Sequence, residues 1–179
     1  PLAEDFSLVP DRVVEAGRRS GAQVLFLSSP NNPTGNALVD ERSLAYLLDQ
    51  LPGCLCIVDE AYADYAGTSF VPWVRERENL IVLRTFSKAY SLAGMRVGWG
   101  LFPTNIAQEL RKVMNPNNIS AVGQAAATAA LADQAYMIET CKQTTSLRDG
   151  LRKRLVNAGL NVPNSFTNFL LLPMGSPDK

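Results

Sequence analysis

The sequence predicts an α/β fold in which helices flank a mostly parallel sheet, and three observations support this fold class. Short apolar runs alternate with helical segments along the first hundred residues, as in strands joined by crossover helices. Three of these runs end abruptly in polar residues, which is typical of buried strands at the ligand-binding edge of an open α/β sheet. With 179 residues, 46% of them hydrophobic, the chain is long enough to bury a sizeable core.

The first helix, strand and loop follow from residues 10–35. Pro10 and Asp11 suit the first turn of a helix that runs to about Ser20, with Gly21 as its stop. Residues 22–28 (AQVLFLS) then predict a continuous apolar strand that is buried on both faces. The next seven residues, SPNNPTG, contain two prolines, two asparagines and a glycine, and therefore predict a tight loop.

The second helix and strand have equally clear boundaries. Asp40 is a suitable N-cap, and Pro52 with Gly53 ends the helix. Four leucines between these boundaries follow the i, i+3, i+4, i+7 pattern of one helix face, namely Leu44, Leu47, Leu48 and Leu51. Residues 55–58 (LCIV) predict the second strand, which ends at Asp59.

The third strand begins at residues 80–83 (LIVL), after a less regular segment over 63–79. Residues 97–102 form another apolar run too soon after it for a crossover helix, so we expect this strand to be antiparallel.

The remainder is predicted to be helical over 104–114, over the alanine-rich and close-packed stretch 120–132, and over 134–158. The last of these helices has Gly159 as its stop and three leucines on one face, Leu147, Leu151 and Leu155. The apolar run 169–172 then begins a second domain.

Composition excludes several classes of function. Lys+Arg and Asp+Glu number 17 each, so the balanced charge indicates neither a nucleic-acid nor an anionic-membrane partner. No apolar run approaches the roughly 18 residues that a membrane-spanning helix needs. The chain has no histidine, which removes Ser-His-Asp triads, Cys-His dyads and His-liganded zinc. Any catalysis would therefore depend on Lys, Tyr, Asp and Glu.

Cysteine usage and the chain ends indicate the setting. Cys54, Cys56 and Cys141 are too few for a disulfide framework and predict no metal site, which is typical of a reducing cytoplasm. The chain begins at Pro1, without Met and without a basic-then-apolar leader. Together with an apolar run close to the end, this opening suggests a fragment of a longer protein.

Three polar groups are expected to converge at the sheet edge: Asn32 after the first strand, Asp59 after the second and Lys88 after the third. An amine, a carboxylate and an amide on one rim match the needs of a pyridoxal 5'-phosphate (PLP) site. The lysine can form a Schiff base with the aldehyde, while the carboxylate pairs with the pyridine nitrogen. The remaining groups can complete the site, with Tyr62 at the ring hydroxyl and Thr85, Ser87 and Arg96 at the phosphate.

Some of these residues also suit a different class of protein. Asp59 and Glu60 after an apolar strand resemble the acidic strand end of a P-loop ATPase, with Thr85 as a sensor. The chain lacks GxxxxGK[ST], however, and an ATPase has no particular need for Lys88 or for NNPTG. Three of the residues also have a purely structural interpretation. Asn32 could be a turn former, Tyr62 a core aromatic and Arg96 a surface ion-pair partner.

Several segments together resemble the fold-type I, class I/II PLP-dependent aminotransferases, and within them the histidinol-phosphate branch. They are SPNNPTG, IVDEAY, RTFSKAYSLAGMRVGWG and PNNISAVGQAAATAAL, and the resemblance extends from FSL at 6–8 to TNFLLL at 167–172. It implies a cytoplasmic homodimer that transfers an amino group between histidinol phosphate and 2-oxoglutarate in histidine biosynthesis. Another aminotransferase, a phospho-amino-acid decarboxylase and a catalytically silent module remain alternatives.

The resemblance also implies individual roles. Lys88 would be the Schiff-base lysine, Asp59 the partner of the ring nitrogen, and Tyr62 with Asn32 the contacts of the ring hydroxyl. The phosphate ligands would be Thr85, Ser87 and Arg96. The implied domains are a PLP-binding large domain at 1–133 without its N-terminal part, a connecting helix at 134–158 and the start of a smaller α+β domain at 159–179. One departure is Pro-Asn-Asn at 116–118, where the family often has Pro-Tyr-Asn.

Overall fold

A computed structural model of the chain describes residues 2–173. Its strands are β1 (Val24–Ser28), β2 (Leu55–Asp59), β3 (Leu80–Thr85) and β4 (Gly98–Leu101). Its α-helices are α1 (Pro10–Ser20), α2 (Glu41–Gln50), α3 (Ala63–Ala66), α4 (Thr104–Val113), α5 (Ala121–Ala132) and α6 (Gln134–Asn157). Short 3₁₀ helices occupy Val71–Arg75 and Ala93–Met95.

The four strands form one sheet in the order β1-β2-β3-β4. The first three are parallel, and β4 joins antiparallel to β3, as the short connection predicted. The register sets Ser28 opposite Asp59, and Asp59 opposite Leu83. The carboxyl ends of the three parallel strands therefore lie along one edge, and the predicted α/β class is confirmed.

The ends of α1 and α2 lie where the sequence predicted them. Gly21 ends α1 in the left-handed conformation, with φ of 64°. At the start of α2, the Asp40 carboxylate accepts a hydrogen bond from the Ser43 backbone N–H at 2.8 Å, and the Ser43 hydroxyl accepts one from the Asp40 N–H at 2.9 Å. This reciprocal capping box explains why the helix begins there.

The main core lies between α1, α2 and one face of the sheet. All four leucines of the predicted α2 stripe are buried, and Leu44 is fully so. They pack against alternate residues of the strands, including Leu27, Cys56, Val58, Leu80 and Val82. The predicted helix face is thus confirmed.

The three cysteines are free and buried. Burial raises the pKa of Cys56 to about 12, so this thiol stays neutral at physiological pH and packs as a small apolar group.

The prediction that β1 is buried on both faces was wrong. Val24 and Phe26 are 53% and 58% exposed, whereas Leu27 is buried. Successive side chains of a strand point to opposite faces, so only alternate residues of β1 reach the core beneath α1 and α2. Within residues 2–173 the other face of β1 remains open to solvent.

The C-terminal helices confirm the predicted boundaries to within a residue or so. α5 packs closely along one side only, where a Cβ at Gly123 would lie 3.0 Å from the Met95 carbonyl oxygen. The expected close packing therefore does not extend around the helix, since most of its other residues are exposed. On α6, Leu147 and Leu151 are 76% and 50% exposed.

None of the helices in residues 2–173 is long and apolar enough to cross a membrane. The segment 161–173 has no regular secondary structure, and residues 174–179 of the expected small domain lie outside the described residues.

Candidate active site

The loop after β1 is compact and holds Asn32 at the sheet edge. The Asn31 N–H donates to the Asn36 carbonyl at 2.9 Å, and the Gly35 N–H donates to the Asn31 carbonyl at 2.8 Å. The Asn31 side-chain amide also donates to the Thr34 hydroxyl at 2.6 Å. The peptide bonds Ser29-Pro30 and Asn32-Pro33 are cis. The loop thus reverses the chain within a few residues, as the SPNNPTG pattern predicted.

Tyr62 joins the loops that follow β1 and β3. The Asn32 amide donates to the Tyr62 hydroxyl at 3.1 Å, although 30 residues separate them in sequence. The Lys88 Nζ lies 5.3 Å from the centroid of the Tyr62 ring, within cation–π range. Tyr62 itself is only 5% exposed. The structure thus brings the amide, the phenol and the amine together.

Asp59 is the last residue of β2 and is half-buried at the same edge. One oxygen of its carboxylate accepts a hydrogen bond from the Ala61 N–H at 2.9 Å, which fixes the side chain at the start of the turn that carries Tyr62. The other oxygen accepts no hydrogen bond from residues 2–173 and can serve a ligand.

The turn after β3 positions Ser87 and Lys88. The Ser87 N–H donates to the Thr85 hydroxyl at 3.0 Å, a local bond typical of turns that begin with Ser or Thr. Phe86 and Ala89 are almost completely buried, at 3% and 2% exposure. Because both are anchored, the half-buried Lys88 between them has little freedom to move its backbone.

Within the described residues, Arg96 makes no hydrogen bond to the other predicted phosphate ligands. Arg96 is exposed, adopts a left-handed φ of 56°, and donates from Nη1 to the Ala93 carbonyl at 2.9 Å. Its backbone nevertheless leads directly to Val97, whose carbonyl accepts a hydrogen bond from the Phe86 N–H at 3.1 Å. The guanidinium therefore lies on a loop next to the Thr85–Ser87 turn, but it bonds within its own loop.

Glu60 has a structural partner that sequence reasoning missed. The carboxylate is 1% exposed and accepts hydrogen bonds from the Ser69 hydroxyl at 2.6 Å, the Phe70 N–H at 2.5 Å and Arg84 Nε at 2.9 Å. Arg84 also bonds Asp64 at 2.8 Å. These bonds occupy Glu60 and argue against the ATPase interpretation. The available signal was an arginine within a buried strand, which needs a partner.

Phe169 is the second residue whose role was missed. Its ring meets the Tyr62 ring edge-to-face, with centroids 5.3 Å apart and planes at 88°. The apolar run around Phe169 predicted burial but gave no indication of which residue it would contact.

A groove of about 1110 Å³ lies at the opposite edge of the sheet, before β3 and after β4. It contains none of the predicted site residues and lacks a comparable grouping of amine, carboxylate and amide. Chemistry, rather than cavity size, therefore locates the candidate site at the carboxyl edge.

Comparison with known proteins shows which family has a similar sequence. The model of the family described as aminotransferase class I and II matches residues 3–179. The chloroplastic histidinol-phosphate aminotransferase of Nicotiana plumbaginifolia is 42% identical over 98% of this chain and 42% of its own length. The aromatic amino acid aminotransferase of Rhodococcus erythropolis is 40% identical over 98% of this chain and 49% of its own length. The chain spans less than half the length of either relative.

A solved structure gives the same result. The histidinol-phosphate aminotransferase of Sinorhizobium meliloti, in complex with pyridoxal-5'-phosphate, matches with a TM-score of 0.85 and 36% identity. The match covers 95% of this chain and 47% of that one.

Proposed function

Since the chain belongs to the class I and II aminotransferases, we propose that the full-length protein transfers an amino group between histidinol phosphate and 2-oxoglutarate, with PLP as cofactor. This reaction belongs to histidine biosynthesis. The observation that carries the proposal is the grouping of Lys88, Tyr62 and Asn32 at the edge where β2 ends in Asp59. Several relatives about 40% identical to this chain carry the histidinol-phosphate name.

The donor set fits PLP. Asp59 has a carboxylate oxygen available for the ring nitrogen, and Tyr62 with Asn32 offers a phenol and an amide for the ring hydroxyl. Thr85 and Ser87, in the turn after β3, provide hydroxyls for the phosphate. A guanidinium has five N–H donors, so Arg96 can bind a phosphate and still keep its bond to the Ala93 carbonyl.

Lys88 and Asp59 would have different roles in the reaction. When bound, PLP supplies an aldehyde that bonds amines and a ring that accepts electrons. Lys88 would hold the aldehyde carbon through Nζ and, once released by the substrate amine, take the proton from the substrate α-carbon. Such general-base catalysis is commonly worth roughly 10²- to 10⁴-fold. Asp59, as an anion, would keep a proton on the ring nitrogen, since an opposite charge nearby favours the charged form.

The remaining assignments are also part of the proposal. We assign a PLP-binding large domain to 1–133, a connecting helix to 134–158 and the start of a small domain to 159–179. The full-length enzyme would be a homodimer in the cytoplasm. The free, buried cysteines agree with a reducing compartment.

The amino donor has a second candidate, because the Rhodococcus erythropolis relative is named for aromatic amino acids and is 40% identical. A donor panel separates the two. The purified full-length protein is supplied with PLP, 2-oxoglutarate and either histidinol phosphate or an aromatic amino acid, and glutamate formation is measured. The proposal predicts the highest kcat/KM with histidinol phosphate. A clear preference for aromatic donors would reassign the substrate, and no glutamate with any donor would refute transamination.

A further inference from the structure

We propose that Phe169 is a positioning residue: it fixes the ring of Tyr62 and thereby aims the Tyr62 hydroxyl at the cofactor. The inference rests on the proposed function, because it concerns the same site. Phe169 would not touch the reacting atoms and would act only through Tyr62.

The oxygen and the proton of the Tyr62 hydroxyl have different hydrogen-bonding partners. The Asn32 amide donates to it at 3.1 Å, so the oxygen already acts as an acceptor on that side. The hydroxyl proton of Tyr62 therefore remains free to be donated to an oxygen of a ligand. How well that proton reaches the ligand depends on the orientation of the ring.

Besides the hydrogen bond to its hydroxyl, the Tyr62 ring has Phe169 and Lys88 as neighbours. The edge-to-face contact with Phe169, at 5.3 Å and 88°, has the geometry that aromatic pairs prefer. The Lys88 Nζ, 5.3 Å from the ring centroid, is another neighbour, but it is also the group that we propose bonds the cofactor. Phe169 is therefore an aromatic restraint on the ring that does not depend on where the Lys88 amine lies.

Phe169 is itself held by a hydrogen-bonded turn. The Ser165 hydroxyl donates to the Phe169 carbonyl at 2.7 Å, and the Phe169 N–H donates to the Thr167 hydroxyl at 3.3 Å. Thr167 is completely buried, and its carbonyl accepts a hydrogen bond from Arg148 of α6 at 2.7 Å. The turn is thus a rigid support rather than a loose tail.

The same turn also supports the Asn32 loop. The Phe166 N–H donates to the Gly35 carbonyl at 2.6 Å. The contact is close, since a Cβ at Gly35 would lie 2.8 Å from the Ser165 hydroxyl oxygen. The turn that contains Phe166 and Phe169 therefore acts on the Tyr62 hydroxyl in two ways. Phe169 holds the ring that carries the hydroxyl, and the bond to Gly35 holds the loop that carries the Asn32 amide.

The test uses the full-length holoprotein and a double-mutant cycle. The variants are F169L, Y62F, the double variant and F166L. Phe166 is a matched control, because it lies in the same turn and its side chain is 42% exposed. Its bond to Gly35 is made by the backbone N–H, which F166L keeps. For each variant, kcat/KM and the pH midpoint of the absorbance of bound PLP are measured.

We expect F169L to lower kcat/KM about two- to tenfold, the range that such aromatic pairs contribute. The pH midpoint should rise by about 0.3 to 1 unit, in the same direction as in Y62F. The reason is that a hydrogen bond donated by the Tyr62 hydroxyl favours the deprotonated form of the cofactor's ring hydroxyl, and F169L weakens that bond. In the Y62F background F169L should add no further shift, and F166L should resemble the wild type. If F169L fails to fold, F169M provides the same comparison.

Two results would overturn the inference. One is an unchanged midpoint in F169L, and the other is a shift of equal size with and without the Tyr62 hydroxyl, which would indicate general loosening of the site. A wild-type protein that binds no PLP at Lys88 would instead overturn the proposed function, and this inference with it.

Discussion

Asp59 and Glu60 are adjacent carboxylates with different environments. Glu60 is enclosed and accepts three hydrogen bonds, whereas Asp59 is half-buried and keeps one oxygen free of bonds from residues 2–173. The Glu60 carboxylate is therefore committed to Ser69, Phe70 and Arg84, whereas Asp59 has an oxygen available for the ligand that we propose.

Replacing Asp59 should separate cofactor binding from turnover. In the full-length protein, D59A should still hold PLP through Lys88 but lose about 10²-fold or more in kcat, because the ring nitrogen would no longer keep its proton. Steady-state kinetics with PLP absorbance checks both quantities. D49A is the control, since Asp49 is an exposed residue of α2 that pairs with Arg77. Near-normal turnover in D59A would refute its role.

The buried Arg84–Glu60 pair should behave differently from an exposed pair of the same chemistry. R84M would leave the Glu60 carboxylate buried without its cation, which commonly costs about 3 to 5 kcal/mol of unfolding free energy. R77M removes the exposed partner of Asp49 and should cost about 1 kcal/mol or less. Urea unfolding of the full-length protein measures both.

The double variant E60Q/R84M should regain part of the R84M loss, because no buried charge is then left unpaired. Equal losses for R84M and R77M would show that the Glu60 site is better hydrated than its burial indicates.

At the residue scale, the sequence predicted that Asn32, Asp59 and Lys88 would converge, because parallel strand ends must share an edge. The structure brings Asn32 and Lys88 to Tyr62, at the edge where β2 ends in Asp59. It did not predict that the Arg96 guanidinium would bond the Ala93 carbonyl, nor that Arg84 would bond Glu60. Long side chains choose among several nearby partners, and that choice depends on loop positions that spacing alone does not fix.

At the element scale, the boundaries followed from local chemistry. Asp40 caps α2 and Gly21 ends α1, and both effects act within a few residues of the chain. The burial of β1 was mispredicted because a continuous apolar run is compatible with either one or two covered faces. Which of the two occurs depends on elements elsewhere in the chain.

The cap of α2 supports a prediction with a pH dependence. Hydrogen bonds from the Ser43 side chain and backbone lower the pKa of Asp40. Its charged form therefore stabilises the fold above the pKa of the unfolded state, and this contribution is lost as the pH falls through the lower pKa of the folded state.

D40A should lower the unfolding free energy by about 1 kcal/mol at neutral pH, and the difference from wild type should shrink in acid. D40N is the matched control, since asparagine also caps helices but cannot titrate, and it should lose little at neutral pH. Urea unfolding at neutral and acidic pH measures both variants. A D40A loss that is the same at every pH would contradict a capping role for the carboxylate.

At the scale of the whole molecule, several apolar side chains are exposed on β1 and α6, including Phe26 and Leu147. The sequence patterns correctly placed the α6 leucines on one helix, but burial depends on what packs against a face. The chain also spans less than half the length of the relatives that it matches, so the surroundings of these faces are not encoded in its own helix and strand patterns.

The central claim is that Lys88 is the residue that bonds PLP. The full-length protein is incubated with PLP, reduced with borohydride, digested and mapped by mass spectrometry. K88A and K112A are treated in parallel, because Lys112 is an exposed lysine that pairs with Glu109. We predict cofactor mass on the peptide with Lys88 in the wild type and in K112A, and none in K88A. Cofactor mass on a different lysine, or its persistence in K88A, would contradict the account.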